Sequence, residues 1–193
     1  MTNVNAFLEP TDLIDWHNPG VSSAARALRG SDGDPTALSR RCFEFVRDEI
    51  KHSQDHRLSV VTLRASEVLT AGSGFCYAKS HLLAALLRAN GIPAGFCYQR
   101  LRFDEAGTRY CLHGLNALLL PDIGWYRVDA RGNRRDIDAQ FAPPEERLAF
   151  YPTAPGEGNL PEIWPAPLSI VVDALSAYST AEALGENLPD VPL

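Results

Sequence analysis

The stretch from residue 72 to residue 91, GSGFCYAKSHLLAALLRANG, places the strongest constraint on how this chain can fold. It predicts a helix over about 75–90 that Gly91 ends and that Pro93 prevents from continuing. Apolar residues surround most of this helix; they are Leu82, Leu83, Ala85, Leu86 and Leu87. Such a helix must be covered on several sides, so we expect it at the centre of the fold, with Cys76 in its first turn.

The segments on either side of this helix predict an α+β fold. Before it, Asp34 and Pro35 begin another helix, on whose buried face Cys42 is a small core residue. After it come three runs with the composition of strands, at 94–103, 109–120 and 125–130. A buried helix packed on an antiparallel meander is an α+β arrangement.

The length of 193 residues fits a single domain, with its core over about 35–135. Residues 142–167 hold seven of the 14 prolines, which predicts an ordered but irregular wrap or a mobile segment. A last helical piece follows at about 173–184. The whole C-terminal extension, 142–193, could serve as a lid, a specificity wall or a dimer contact, and the sequence leaves this role and the oligomeric state open.

Composition excludes several kinds of partner. The formal net charge is −6, the pI is about 5.3 and no Lys/Arg cluster is present, so neither nucleic acid nor a membrane surface is an expected partner. No window of 18 apolar residues predicts a membrane span, and the first residues do not resemble a signal peptide. We therefore expect a cytoplasmic protein whose four cysteines are reduced thiols.

Cys76 is well placed for nucleophilic chemistry. The positive end of a helix dipole favours the thiolate, and the free N–H groups of a first turn can stabilise an oxyanion. The small residues before it leave room for a substrate to approach. The alternative is that Cys76 is only a small buried hydrophobe, since free cysteine is among the most buried residue types.

A nucleophilic cysteine needs a base, and His113 is the best of five histidines. It lies on the second predicted strand, from which it can project onto the helix that carries Cys76. His81 lies on that helix but faces away from the cysteine. At the end of the third strand, Asp129 can orient an imidazole and fix its tautomer. His113 could instead be a core histidine satisfied by hydrogen bonds.

The hairpin between the second and third strands decides whether Asp129 can reach His113. A four-residue loop, 121–124, would put Asp129 opposite Asn116 and on the wrong face of the sheet. We therefore predict an odd-numbered loop, of five residues, or a bulge, which puts Asp129 opposite Leu115 and on the face of His113.

These motifs together resemble the transglutaminase-like superfamily, and in particular its papain-related bacterial members of the cysteine-protease type. The resemblance rests on GSGFCYAKSHLLAALLRANGIPAGFCYQRL, HGLNALLL and GWYRVDA, and covers residues 40–135. It implies a papain-like α+β core. It also implies a catalytic triad with Cys76 as nucleophile, His113 as base and Asp129 as orienting acid.

The chain departs from the family pattern at several positions. Tyr77 stands where eukaryotic transglutaminases carry a tryptophan, and Ala130-Arg131 replaces a Pro-Thr-like ending after the aspartate. The tryptophan that helps to form the oxyanion hole in those enzymes has no obvious counterpart. Gln54 could supply a donor, as a glutamine does in papain, or could be an exposed loop residue. We take Gln54 and Tyr77 as candidate oxyanion or substrate-binding residues.

We therefore expect a cysteine-dependent acyl-transfer enzyme that hydrolyses a peptide or a small molecule containing an amide, through a thioester. The alternatives are amine acyl transfer of the transglutaminase type and a non-catalytic binding module on the same fold. A metal site built from Cys76, Cys97, Cys111 and His113 is not favoured, because the chain has no C-x-x-C pair. We expect neither a metal nor any other cofactor.

Overall fold

The computed structural model describes residues 3–31, 33–104 and 106–193. Its helices are α1 (Pro19–Leu28), α2 (Pro35–Glu49), α3 (Ala65–Ala71), α4 (Cys76–Ala89), α5 (Ser169–Ala177) and α6 (Ala181–Glu186), after a 3-10 turn at Val4–Phe7. Its strands are β1 (Lys51–His52), β2 (Ser73–Gly74), β3 (Ala94–Arg102), β4 (Tyr110–Leu120), β5 (Gly124–Val128), β6 (Gln140–Ala142), β7 (Glu145–Arg147) and β8 (Gly158–Asn159). This order confirms the predicted α+β class. Within the described ranges, no helix has the length and apolarity that crossing a bilayer requires.

Helix α4 lies at the centre of the fold, and every residue from Cys76 to Arg88 is buried. Helices α1, α2 and α3 pack around it, and strands β3 and β4 cover its remaining side. Gly91 adopts a left-handed conformation, with φ +79°, and the next N–H, of Ile92, returns to the carbonyl of Leu87 at 3.0 Å. The predicted central helix is confirmed, and each end lies within one residue of the expected position.

Helix α2 begins where the sequence predicts. The carboxylate of Asp34 accepts a hydrogen bond from the N–H of Thr36 at 2.9 Å, and Pro35 takes the first helical position. Cys42 is fully buried, and burial raises the pKa of its thiol to about 12. Its predicted place in the core is confirmed.

The main sheet has the strand order β5–β4–β3–β8, with all neighbours antiparallel. One set of β4 side chains meets helix α4. A Cβ at Gly114 would lie only 2.8 Å from the ring of Tyr77, and Asn116 donates to the carbonyl of Ser80 at 3.1 Å. His113 belongs to the alternate set of β4, because successive side chains of a strand point to opposite faces.

The hairpin between β4 and β5 is tighter than expected. Leu120 pairs with Gly124, so three residues connect the strands, where we predicted five. Left-handed conformations at Asp122 (φ +61°) and at Gly124 (φ +87°) allow this short turn. The prediction of a loop with an odd number of residues is confirmed. Continuing the β4–β5 register by one pair puts Asp129 opposite Leu115, on the same face of the sheet as His113.

The proline-rich segment is an irregular wrap that contains short strands. β6 pairs with β7, and β8 pairs with β3 at the edge of the main sheet. The single helical piece expected over 173–184 is instead two helices, α5 and α6. The break occurs because Tyr178 is extended and Thr180 starts a new helix, its side chain accepting from the N–H of Ala183 at 3.3 Å.

The central position of α4 predicts that its apolar side chains carry much of the stability. Leu86 is fully buried, so Leu86→Ala should lower the free energy of unfolding by about 2–5 kcal/mol. Urea unfolding followed by circular dichroism measures this loss. The matched control is Ile170→Ala on α5, where the side chain is partly exposed and the loss should stay below about 1 kcal/mol. Equal losses in the two variants would contradict the central role of α4.

Candidate active site

Cys76 begins helix α4 and is held in place by a parallel bridge between β1 and β2. In this bridge His52 pairs with Gly74, two residues before the cysteine. Gly74 has no room for a side chain, since a Cβ there would lie 2.9 Å from the hydroxyl of Thr62. The bridge therefore brings the chain that follows His52 alongside the first turn of α4.

Gln54 is an exposed loop residue that follows this bridge. It lies two residues after His52, as Cys76 lies two residues after Gly74, and both line a cavity of about 800 Å³. The side-chain amide of Gln54 makes no hydrogen bond within the part of the chain that the structure describes. The structure thus brings this candidate to the same cavity as Cys76, with its amide free to meet a ligand.

His113 and Asp129 form a buried hydrogen-bonded pair. The Nε2 atom of His113 lies 2.7 Å from an Oδ of Asp129, and both side chains are buried. The carboxylate of Asp129 also accepts from the backbone N–H groups of Arg131 and Ala149, each at 3.1 Å. Three donors therefore fix this carboxylate, which has no exposed surface at all.

The imidazole of His113 is held in its charged form. Burial alone would lower its pKa, but the carboxylate of Asp129 and the nearby sulfur of Cys76 outweigh burial and raise the pKa to about 10. For Asp129, burial opposes ionisation, yet the charge of His113 and the hydrogen bonds above hold its pKa below the ordinary value of 3.8. The pair is therefore an imidazolium–carboxylate ion pair at neutral pH.

Tyr77 does not line this cavity. Its ring is buried against Gly114, and its hydroxyl donates to the carbonyl of Leu112. Burial raises the pKa of this phenol well above its ordinary value. The side chain therefore anchors α4 on β4, and the structure does not bring it to the surface that a ligand would touch.

Sequence reasoning missed the residues that surround the pair. Arg131 is 7% exposed, and its guanidinium forms a two-bond ion pair with Asp55, at 2.6 and 2.9 Å. The ring of Phe150 lies 4.9 Å from that of His113, nearly perpendicular to it. His52 is buried beside the cavity, where burial above all, and then the charge of Arg131, lower its pKa to about 3. The departure from the family pattern at Arg131 was the one sequence feature that could have indicated any of these residues.

The remaining candidates lie around the cavity or away from it. Cys111 lines the cavity with a thiol whose pKa burial raises to about 12, whereas Cys97 packs with Leu115 and Leu148 in a separate apolar cluster. His81 faces away from the cysteine and is hydrogen-bonded, with Nδ1 2.7 Å from the carbonyl of Leu63. Across the described ranges, no three His, Cys, Asp or Glu side chains converge as metal ligands would.

Comparison with protein families gives a match that spans the elements carrying these residues. The family model for the transglutaminase-like superfamily matches residues 22–130, more than half of the chain. The match includes Cys76, His113 and Asp129, and it ends before the segment that carries Phe150. No sequence among the curated proteins matches the chain.

Similarity to solved structures extends over part of their length. A Cytophaga hutchinsonii protein named "Putative Cysteine Protease" matches with a TM-score of 0.54 and 18% identity, over 66% of this chain and 42% of that one. The periplasmic domain of TgpA from Pseudomonas aeruginosa matches with a TM-score of 0.46, at 26% identity when bound to ethylmercury and 24% without it. These two matches cover 58% and 67% of this chain, and 44% and 48% of theirs. The chain therefore spans less than half the length of each of these structures.

The ion pair predicts how His113 titrates. Its imidazole should stay protonated at pH 7.5, between the ordinary pKa of 6.5 and the raised value of about 10. In Asp129→Asn the ring should be neutral at this pH, because burial then favours the uncharged form. Imidazole ¹⁵N chemical shifts measure both states. A wild-type ring that is neutral at pH 7.5 would contradict the ion pair.

Proposed function

The chain belongs to the transglutaminase-like superfamily, and from this premise we propose that it is a cysteine-dependent acyl-transfer enzyme. Cys76 is the nucleophile, His113 the general base and Asp129 the acid that orients the base. The substrate is a peptide or a small molecule with an amide group, and water is the acceptor that completes the reaction.

The observation that carries this proposal is the 2.7 Å contact between Nε2 of His113 and Asp129, made beside the cavity that Cys76 lines. With Nε2 bound to the carboxylate, Nδ1 is the ring nitrogen left for the thiol of Cys76. The sulfur already acts on the ring, since it helps to raise the pKa of His113. A buried ion pair next to a cysteine at the first turn of a helix supports a thiolate on Cys76 that is paired with the imidazolium of His113.

Acylation begins from this thiolate–imidazolium pair. The thiolate sulfur of Cys76 attacks the carbonyl carbon while His113 holds the proton, so that a C–S bond forms and the carbonyl oxygen becomes an oxyanion. The N–H groups of the first turn of α4, together with the free side-chain amide of Gln54, stabilise this charge. The imidazolium then gives its proton to the leaving nitrogen, the C–N bond breaks and a thioester remains.

Deacylation returns the enzyme to its starting state. His113, neutral after that donation, accepts a proton from water, and the hydroxide oxygen attacks the thioester. The C–S bond then breaks, the acid leaves, and the thiolate of Cys76 is restored beside the imidazolium. An amine in place of water would give a new amide, the reaction of a transglutaminase. The cavity of about 800 Å³ is within the size range of sites for small ligands and can take one segment of a peptide.

Alkylation of Cys76 by iodoacetamide tests the proposal without a known substrate. Because His113 stabilises the thiolate, Cys76 in the wild type should react at pH 6 at least about tenfold faster than in His113→Ala. Mass spectrometry of the labelled peptides measures the rates. Cys42, Cys97 and Cys111 serve as internal references, since burial raises the pKa of each thiol to about 12.

His56→Ala is the matched control, because this histidine is exposed on the same loop as Gln54 but does not line the cavity. It should leave the rate at Cys76 unchanged. If Cys76 reacts slowly in both the wild type and His113→Ala, with a rate that rises only near pH 8.5, the thiol is ordinary. That result would contradict the enzyme and favour a binding module.

A further inference from the structure

Residues 148–153, which we name the strap, cross the face of the sheet on which His113 lies. The strap lies outside residues 22–130, the part of the chain that the family model matches. At its start Leu148 packs with Cys97, Leu115 and Ala117, which belong to the same set of strand side chains as His113. The strap is therefore a cover for this face, as α4 is for the opposite one.

Two consecutive strap residues contact the acid–base pair. The N–H of Ala149 donates to the Oδ atom of Asp129 that also binds His113. The ring of Phe150 packs on the imidazole at 4.9 Å, with 85° between the planes, and Arg131 lies over the Phe150 ring at 5.6 Å. Phe150 thus closes one side of His113 while Ala149 completes the hydrogen bonds of its partner.

Gln99 anchors the strap to strand β3 of the sheet. It pairs directly with His113 across β3 and β4, and its Nε2 donates to the carbonyl of Phe150 at 3.2 Å and to Asn159 at 2.9 Å. Its Oε1 is buried and has no partner among the described residues, which costs stability. A leucine of similar size would avoid that cost, so stability alone does not account for a glutamine here.

We propose that Phe150 and Gln99 are positioning residues for His113. Phe150 restricts the imidazole to the orientation that faces Cys76 and keeps water away from its hydrogen bond to Asp129. Gln99 holds Phe150 there through the strap backbone. This inference rests on the proposed function, since it assigns how the base of that reaction is kept in place.

The test is the pH profile of Cys76 alkylation in strap variants. Phe150→Leu keeps an apolar side chain but loses the aromatic ring. Water then reaches His113 and its imidazole can rotate, so the ion pair with Asp129 weakens. The rate at pH 6 should fall about tenfold, within the 10²-fold that a misplaced catalytic group can cost. Phe150→Tyr, which retains the ring, should restore the wild-type profile. Gln99→Leu should lower the rate at pH 6 in the same direction, because the strap loses its anchor.

Arg147→Ala is the control, as this side chain is exposed just before the strap and should leave the profile unchanged. Thermal unfolding of each variant identifies any loss that comes from the fold alone. If His113→Ala slows Cys76 but Phe150→Leu and Gln99→Leu keep the wild-type profile, the positioning role is wrong and the proposed function stands. If His113→Ala does not slow the alkylation of Cys76, both the positioning role and the proposed function are wrong.

Discussion

The complete burial of helix α4 is the constraint on which the rest of this structure depends. A helix without an exposed face cannot shift, so Cys76 in its first turn has a fixed position relative to the sheet. Gly114 allows the close approach, because any side chain there would collide with Tyr77. Lys79 secures the same turn by donating to the carbonyls of Arg47 and Ile50 at the end of α2, and burial lowers the pKa of its ammonium group to about 7.

Charged groups then connect the separate walls of the cavity. Arg131 donates its backbone N–H to Asp129 and its guanidinium to Asp55, which is next to Gln54 in the chain. Because buried charges are stable only when they are paired, this chain of contacts holds the loop that carries Gln54 against the acid–base pair. The strap adds the last partner of Asp129, so the site is assembled from both halves of the chain.

The sequence predicted the features that rest on periodicity or on local steric rules. The apolar residues around the whole circumference of α4 predicted its central place. The odd number of residues in the loop between β4 and β5 predicted that Asp129 lies on the same face of the sheet as His113. The bridge of His52 with Gly74 could not be predicted, since a pairing of two residues leaves no periodic signal. No sequence pattern predicts the contacts of Phe150 either, because they depend on how an irregular segment crosses a sheet. Tyr77 lies in the core because one helical step turns its side chain away from the cavity.

The most direct test of the central claim is to trap the acyl-enzyme. The protein is incubated with p-nitrophenyl acetate, an activated ester small enough for the cavity, and the modified peptide is identified by mass spectrometry. We predict acetylation of Cys76 that hydroxylamine removes, that disappears in Cys76→Ser and that slows in His113→Ala. An unmodified Cys76 with no release of p-nitrophenol, or equal acetylation of Cys76 in the wild type and His113→Ala, would contradict a thiolate activated by His113.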